Sequence, residues 1–135
     1  MSKNMDLFRA IIERGFNQGD LSVADEICAP NVIEHEYLAA AHLPAPEILK
    51  SQIQEARTAL TNFHLTIEDM VEDCGKVWAR MVGRGFNPRT NAPVTMTVID
   101  ICRFDHGQLV EHWGVPDRFA VLHQLGVLPG PVENR

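Results

Sequence analysis

Val98-Ile-Asp-Ile-Cys-Arg-Phe-Asp-His-Gly-Gln-Leu-Val-Glu-His-Trp-Gly-Val-Pro-Asp117 reads as two strands joined by a tight turn. The first limb extends back to Val94. From there to Phe104 it is rich in β-branched and apolar residues, which suit a pleated, half-buried surface. Asp105-His106-Gly107 supplies the turn, with glycine where a positive φ costs little. The second limb, Gln108 to Val115, carries His112 and Trp113 side by side. Polar groups inside an apolar strand cost free energy unless they meet partners or line a cavity. Asp100, Glu111 and His112 therefore require an explanation.

A two-residue loop centred on His106 and Gly107 sets Asp100 opposite Trp113 and Ile101 opposite His112. In that register Asp100 shares a face with Trp113, and His112 shares one with Ile99 and Ile101. Only one face can line a pocket unless a bulge intervenes. The isoleucine-rich face reads as the more buried, which would put His112 inside.

Outward from the hairpin, the rest of the chain supplies helices first and strands later. Met5, Phe8, Ile12 and Phe16 recur at helical spacing and predict a helix over about Asn4 to Asn17, with Asn4 as its cap. Gly19 suits the left-handed position at its end. A short helix follows, about Leu21 to Cys28, stopped by Pro30. Asn31 to Glu36 reads as a short strand, and Tyr37 to Pro46 as a loop or lid. A third helix spans about Ala45 to Leu60, with Ile48, Leu49, Ile53, Ala56 and Leu60 inward. Strands are expected at His64 to Glu72 and Lys76 to Phe86, with turns at Asp73-Cys-Gly75 and Asn87 to Pro93. A last helix covers Arg118 to Leu125. Helices followed by a run of antiparallel strands imply an α+β domain.

The chain has 135 residues, sized for one domain over residues 1–135 with a single core. Its net charge of −6 and scattered basic residues argue against a nucleic-acid-binding face. The apolar runs are too short to span a bilayer, and the N-terminus lacks a long apolar leader. Cys28, Cys74 and Cys102 are widely spaced and odd in number, which fits reduced thiols in a cytoplasmic protein.

Several residues could carry chemistry. His35, in Glu34-His-Glu36, is of the residue type suited to acid–base work at physiological pH and could move protons at a pocket mouth. Trp78 and Arg80 share one face of their strand, where an arginine could polarise a carbonyl. Asp117 could cap the last helix or orient His112. The histidines form no i, i+4 pair on a helix and no cysteine pair joins them, so no metal site is expected. Gly83-x-Gly85 precedes no helix and is no nucleotide fingerprint.

Ile99-Asp-Ile-Cys-Arg-Phe104, Gly107-Gln-Leu-Val-Glu-His-Trp113 and Asp117 together resemble the SnoaL-like polyketide cyclases of the NTF2-like superfamily. A weaker likeness extends to the N-terminal helices and to Asn31-Val-Ile-Glu-His35. The resemblance implies a cone-shaped roll, in which a curved antiparallel sheet and N-terminal helices enclose a pocket and the outer sheet face pairs into homodimers. It implies aldol-type cyclisation or isomerisation of an apolar, carbonyl-containing small molecule, without a cofactor. The expected catalytic residues are His112, Asp100, Asp117 and His35. Trp78, Arg80, Trp113 and Tyr37 are the expected substrate contacts. Such cyclases, and the related epoxide hydrolases, commonly carry a catalytic aspartate just after the aromatic strand position, which is Gly114 here. That departure keeps a second reading open, a small-molecule-binding or dimerising module without turnover.

Overall fold

The computed structural model describes residues 2–36 and 42–130. α1 (Lys3–Ala10) begins after Ser2, whose hydroxyl accepts a hydrogen bond from the Met5 N–H at 3.0 Å. Asn4, expected at the cap, lies within the helix and donates to Glu72 at 2.8 Å. The helix continues as a π-helical stretch, Ile11–Phe16, and the Asn17 N–H donates five residues back to the Ile12 carbonyl at 2.9 Å. The wider turn buries the adjacent side chains of Ile11 and Ile12, and both line the cavity described below. Gly19 takes the left-handed φ of 76° that its place after the helix demands.

α2 (Ser22–Ile27) leads into β1 (Cys28–Glu34), so Pro30 sits in a strand. That strand is the sheet edge, where a missing N–H is tolerated. α3 (Ala45–Ala59) buries Ala45, Ile48, Leu49 and Ile53. The strands β2 (Thr61–Asp73), β3 (Lys76–Phe86), β4 (Pro93–Asp105) and β5 (Gln108–Pro116) follow, and α4 (Arg118–Gln124) closes the described fold.

The α+β reading holds, as a curved, open five-stranded sheet in the order β1-β5-β4-β3-β2. It is mixed where a purely antiparallel sheet was expected, because β1 runs parallel to β5 while the other pairs are antiparallel. Phe8, Ile12 and Val23 from the N-terminal helices meet Ile53 of α3 and Val77 and Met81 of the sheet in one buried core.

The hairpin register departs from the simple two-residue prediction. Phe104 pairs with Leu109, but Arg103 pairs with Glu111, so Val110 is an extra residue in β5. Beyond this bulge Cys102 faces His112, Ile101 faces Trp113 and Asp100 faces Gly114. The one-residue slip moves His112 off the isoleucine face and onto the face of Asp100 and Cys102.

Candidate functional site

Alternation along each strand selects the residues that reach the interior. In β3 the odd-numbered Val77, Ala79 and Met81 are buried, while Trp78 and Arg80 are exposed. Trp78 and Arg80, expected as substrate contacts, are turned by their strand to the outer face. Trp113 stands opposite Ile101, also outside the cavity lining. Tyr37 lies outside the described residues.

The helices and the inner sheet face enclose a cavity of about 420 Å³, within the range of small-molecule pockets. Most of its wall is apolar, including Phe8, Phe16, Leu49, Phe63, Met96 and Val98. Ionisable side chains gather at the end formed by β1, the middle of β4 and β5, and the start of α4. They are Glu34, Glu36, Asp100, His112 and Arg118.

His112 is the centre of that group. Its Nδ1 lies 2.7 Å from Glu34 Oε2, and its Nε2 lies 3.3 Å from Asp100 Oδ1. The three side chains are 13%, 6% and 15% exposed for His112, Glu34 and Asp100. The Glu34 carboxylate is further held by Gln52 of α3 at 3.2 Å and by the Glu36 N–H at 3.0 Å. Among the described residues, Asp100 makes only the longer ion contact. Glu34 is thus fixed by three donors, whereas Asp100 is comparatively loose.

The electrostatics follow from this geometry. Burial acts to lower the His112 pKa, but the flanking Asp100 and Glu34 carboxylates outweigh it and raise it from 6.5 to about 10. The ring is then an imidazolium at neutral pH, with both N–H groups directed at carboxylates. Burial pushes Glu34 up, yet the His112 contact, the Glu36 N–H and Gln52 leave it below the usual carboxylate value. Glu36 goes the other way, since burial raises it more than Arg118 lowers it. Arg118 and Gln52 both bond the Glu36 carboxylate.

The other expected site residues have different surroundings. His35 points away from the cavity, bonds Glu111 at 2.8 Å and stacks on Trp113 with ring centres 4.7 Å apart. The alternation Glu34-His35-Glu36 explains this, because it turns the two acids inward and the histidine out. Asp117 caps α4, accepting from the Ala120 N–H at 3.1 Å. Glu34, Glu36, Gln52 and Arg118 were missed from sequence. The same alternation was the signal for the two glutamates.

Glu34, Glu36 and His112 each offer a potential metal-ligand atom, all within 4.8 Å of one another. Both His112 nitrogens already face carboxylates, so the set reads as ion-paired side chains and not as an open coordination site. Among the described residues, no helix is long and apolar enough to cross a membrane.

The comparisons with known proteins agree with this architecture. The family model of the SnoaL-like polyketide cyclases matches residues 6–125. No curated protein matches the sequence at a significant level. Among solved structures, IdmH from Streptomyces antibioticus, described as a candidate polyketide cyclase, superposes with a TM-score of 0.79 at 29% identity. That match covers 93% of this chain and 100% of the other. A candidate polyketide cyclase from Bacillus cereus gives 0.82 at 23% identity, over 93% of this chain and 82% of its own. AclR from Streptomyces galilaeus, described as a candidate hydroxylase, gives 0.80 at 19% identity, over 96% and 89%. The last two likenesses bear on the fold alone.

Proposed function

The chain belongs to the SnoaL-like polyketide cyclase family, and from that premise we propose that it carries out acid–base chemistry on an apolar carbonyl compound, without a cofactor, in the internal cavity. The observation that carries the proposal is His112 held between a fixed carboxylate, Glu34, and a looser one, Asp100. When a substrate carbonyl enters, the Nε2–H of His112 turns from Asp100 to the carbonyl oxygen, while Nδ1–H stays on Glu34. Asp100, released from the ring, removes a proton from the carbon next to the carbonyl. The electron pair of that C–H bond becomes the enolate double bond, and negative charge develops on oxygen beside the imidazolium. The enolate carbon then attacks a second carbonyl to close a ring, or takes a proton elsewhere to complete an isomerisation. The protonated Asp100 then returns the proton, to the new alkoxide in ring closure or to the second carbon in isomerisation, so the site ends in its starting state.

The lining also supports a substrate without a carboxylate. Glu34, Glu36, Glu55 and Asp100 face the cavity against His112 and Arg118, and both cations are already paired. A ligand anion would meet excess negative charge in a poorly solvated space. The proposal includes a homodimer through the outer sheet face, supported by the exposed Ile33, Trp78, Ile99 and Val115.

A substrate-independent test uses 2-tetralone, an apolar ketone with acidic α-hydrogens. In D₂O, proton NMR should detect α-hydrogen exchange faster than in buffer alone, and Asp100→Asn should remove most of the gain. Binding of 2-tetralone with exchange no faster than buffer would favour the non-catalytic binding module.

A further inference from the structure

Gly114 stands directly across from Asp100 in the β4–β5 ladder. Its φ is not in the left-handed region, so the backbone there suits any residue. Space explains the glycine. A Cβ built on it would lie 2.8 Å from Asp100 Oδ1, 2.9 Å from His112 Cε1 and 3.2 Å from His112 Nε2. Separations below 3.0 Å are closer than real Cβ contacts, so the carboxylate and the ring would both have to move.

We propose that Gly114 is a positioning residue, whose missing side chain is what allows the Asp100 carboxylate and the His112 ring to close on each other. The gap at 114 is then part of the site. It lets a carboxylate from the neighbouring strand reach the imidazole Nε2 from the side opposite Glu34. The inference takes its catalytic meaning from the proposed reaction. Its test needs no turnover, so the two can fail separately.

His112 is faced by Glu34 and Glu36 from the end of β1 and by Asp100 and Cys102 from β4, and Arg118 of α4 pairs with Glu36. Of these groups, Asp100 is the one nearest to a methyl at 114, at 2.8 Å. The experiment is an NMR titration of the His112 imidazole in the wild type, Gly114→Ala, Asp100→Asn and the double variant. Gly114→Ala should lower the His112 midpoint by about one pH unit or more, as expected when an adjacent carboxylate is displaced. Asp100→Asn should do likewise, and Gly114→Ala should then add little when combined with Asp100→Asn. A general packing defect would shift both backgrounds equally. An unmoved midpoint in Gly114→Ala, or equal shifts in the two backgrounds, would overturn the proposal. If Gly114→Ala does not fold, Asp100→Ala in the same chain should restore folding, because it removes the oxygen 2.8 Å from the methyl and opens the space into which the His112 ring can shift. A double variant that also fails to fold overturns it too.

Discussion

On the inner face of β4 and β5 stand Asp100, Cys102, His112 and Gly114; on the outer face stand Ile99, Ile101, Trp113 and Val115. The usual distribution is reversed along one hairpin. Polar groups face the interior because they pair with one another and with Glu34, which offsets their desolvation. Apolar groups face outward, with Val115 67% and Ile99 38% exposed. Hydrophobicity alone therefore assigns these faces backwards. An apolar strand face marks a surface to be covered, and the cover can be a second subunit as well as the core.

The faces also hold comparable ion pairs. Inside, His112 meets Glu34 at 2.7 Å; outside, His35 meets Glu111 at 2.8 Å. The distances match, so burial should set the difference in worth. The largest effect is expected from Glu34→Ala, which leaves the His112 charge only its longer contact to Asp100 and removes an acceptor from Gln52 and from the Glu36 N–H. Removing one partner of a buried pair costs roughly 3 kcal/mol. Urea melts at pH 7 should give a loss of that order, and a loss no larger than at surface pairs would break the contrast.

The next effect is in pH. The folded-state pKa of His112 is raised from 6.5 to about 10, so its contribution to stability is complete below pH 6.5 and is lost as pH rises towards 10. Wild-type urea midpoints should fall between pH 7 and 10, and His112→Gln should flatten the part of that slope due to the imidazole. Parallel slopes in the two proteins would mean that the ring is not held charged.

On the outer face the expected change is in assembly, with the fold retained. Val115→Arg should shift a dimer towards monomer in sedimentation at micromolar concentration, with little change in the circular dichroism of each chain. A wild type that sediments as monomer would remove the reason given for the apolar face.

The order of elements was legible because periodicity reports it directly: Phe8, Ile12 and Phe16 at helical spacing, and alternation from Lys76 to Phe86. His112 and Asp100 were legible as polar residues in apolar strands. Their shared face was not, since it depends on Val110, whose side chain carries no mark of a bulge. One inserted residue inverts every facing beyond it. His35 drew attention as a histidine, while the alternation that marks Glu34 and Glu36 as its inward neighbours went unread. The Gly114 departure suggested a missing acid. In the fold it is the space beside Asp100, and Glu34 supplies a second carboxylate from β1, distant in sequence but paired with His112 across the sheet.

The smallest effect should come from Glu111→Gln, the outer counterpart of the Glu34 variant. Glu111 bonds both His35 and Arg103, each at 2.8 Å, so by contacts alone it resembles Glu34. Its surroundings differ. His35 and Arg103 are each more than a third exposed, and water can solvate them once the carboxylate is gone. In dilute solution, where the outer face is uncovered, the urea midpoint of Glu111→Gln should stay within the scatter of repeated wild-type melts. Raising protein concentration should separate the two only if a second copy covers this cluster, because His35 and Arg103 would then lose their solvent along with their acid. A concentration-dependent gap would tie the outer pair to the interface. A large loss in dilute solution would show that burial is not what distinguishes the two faces.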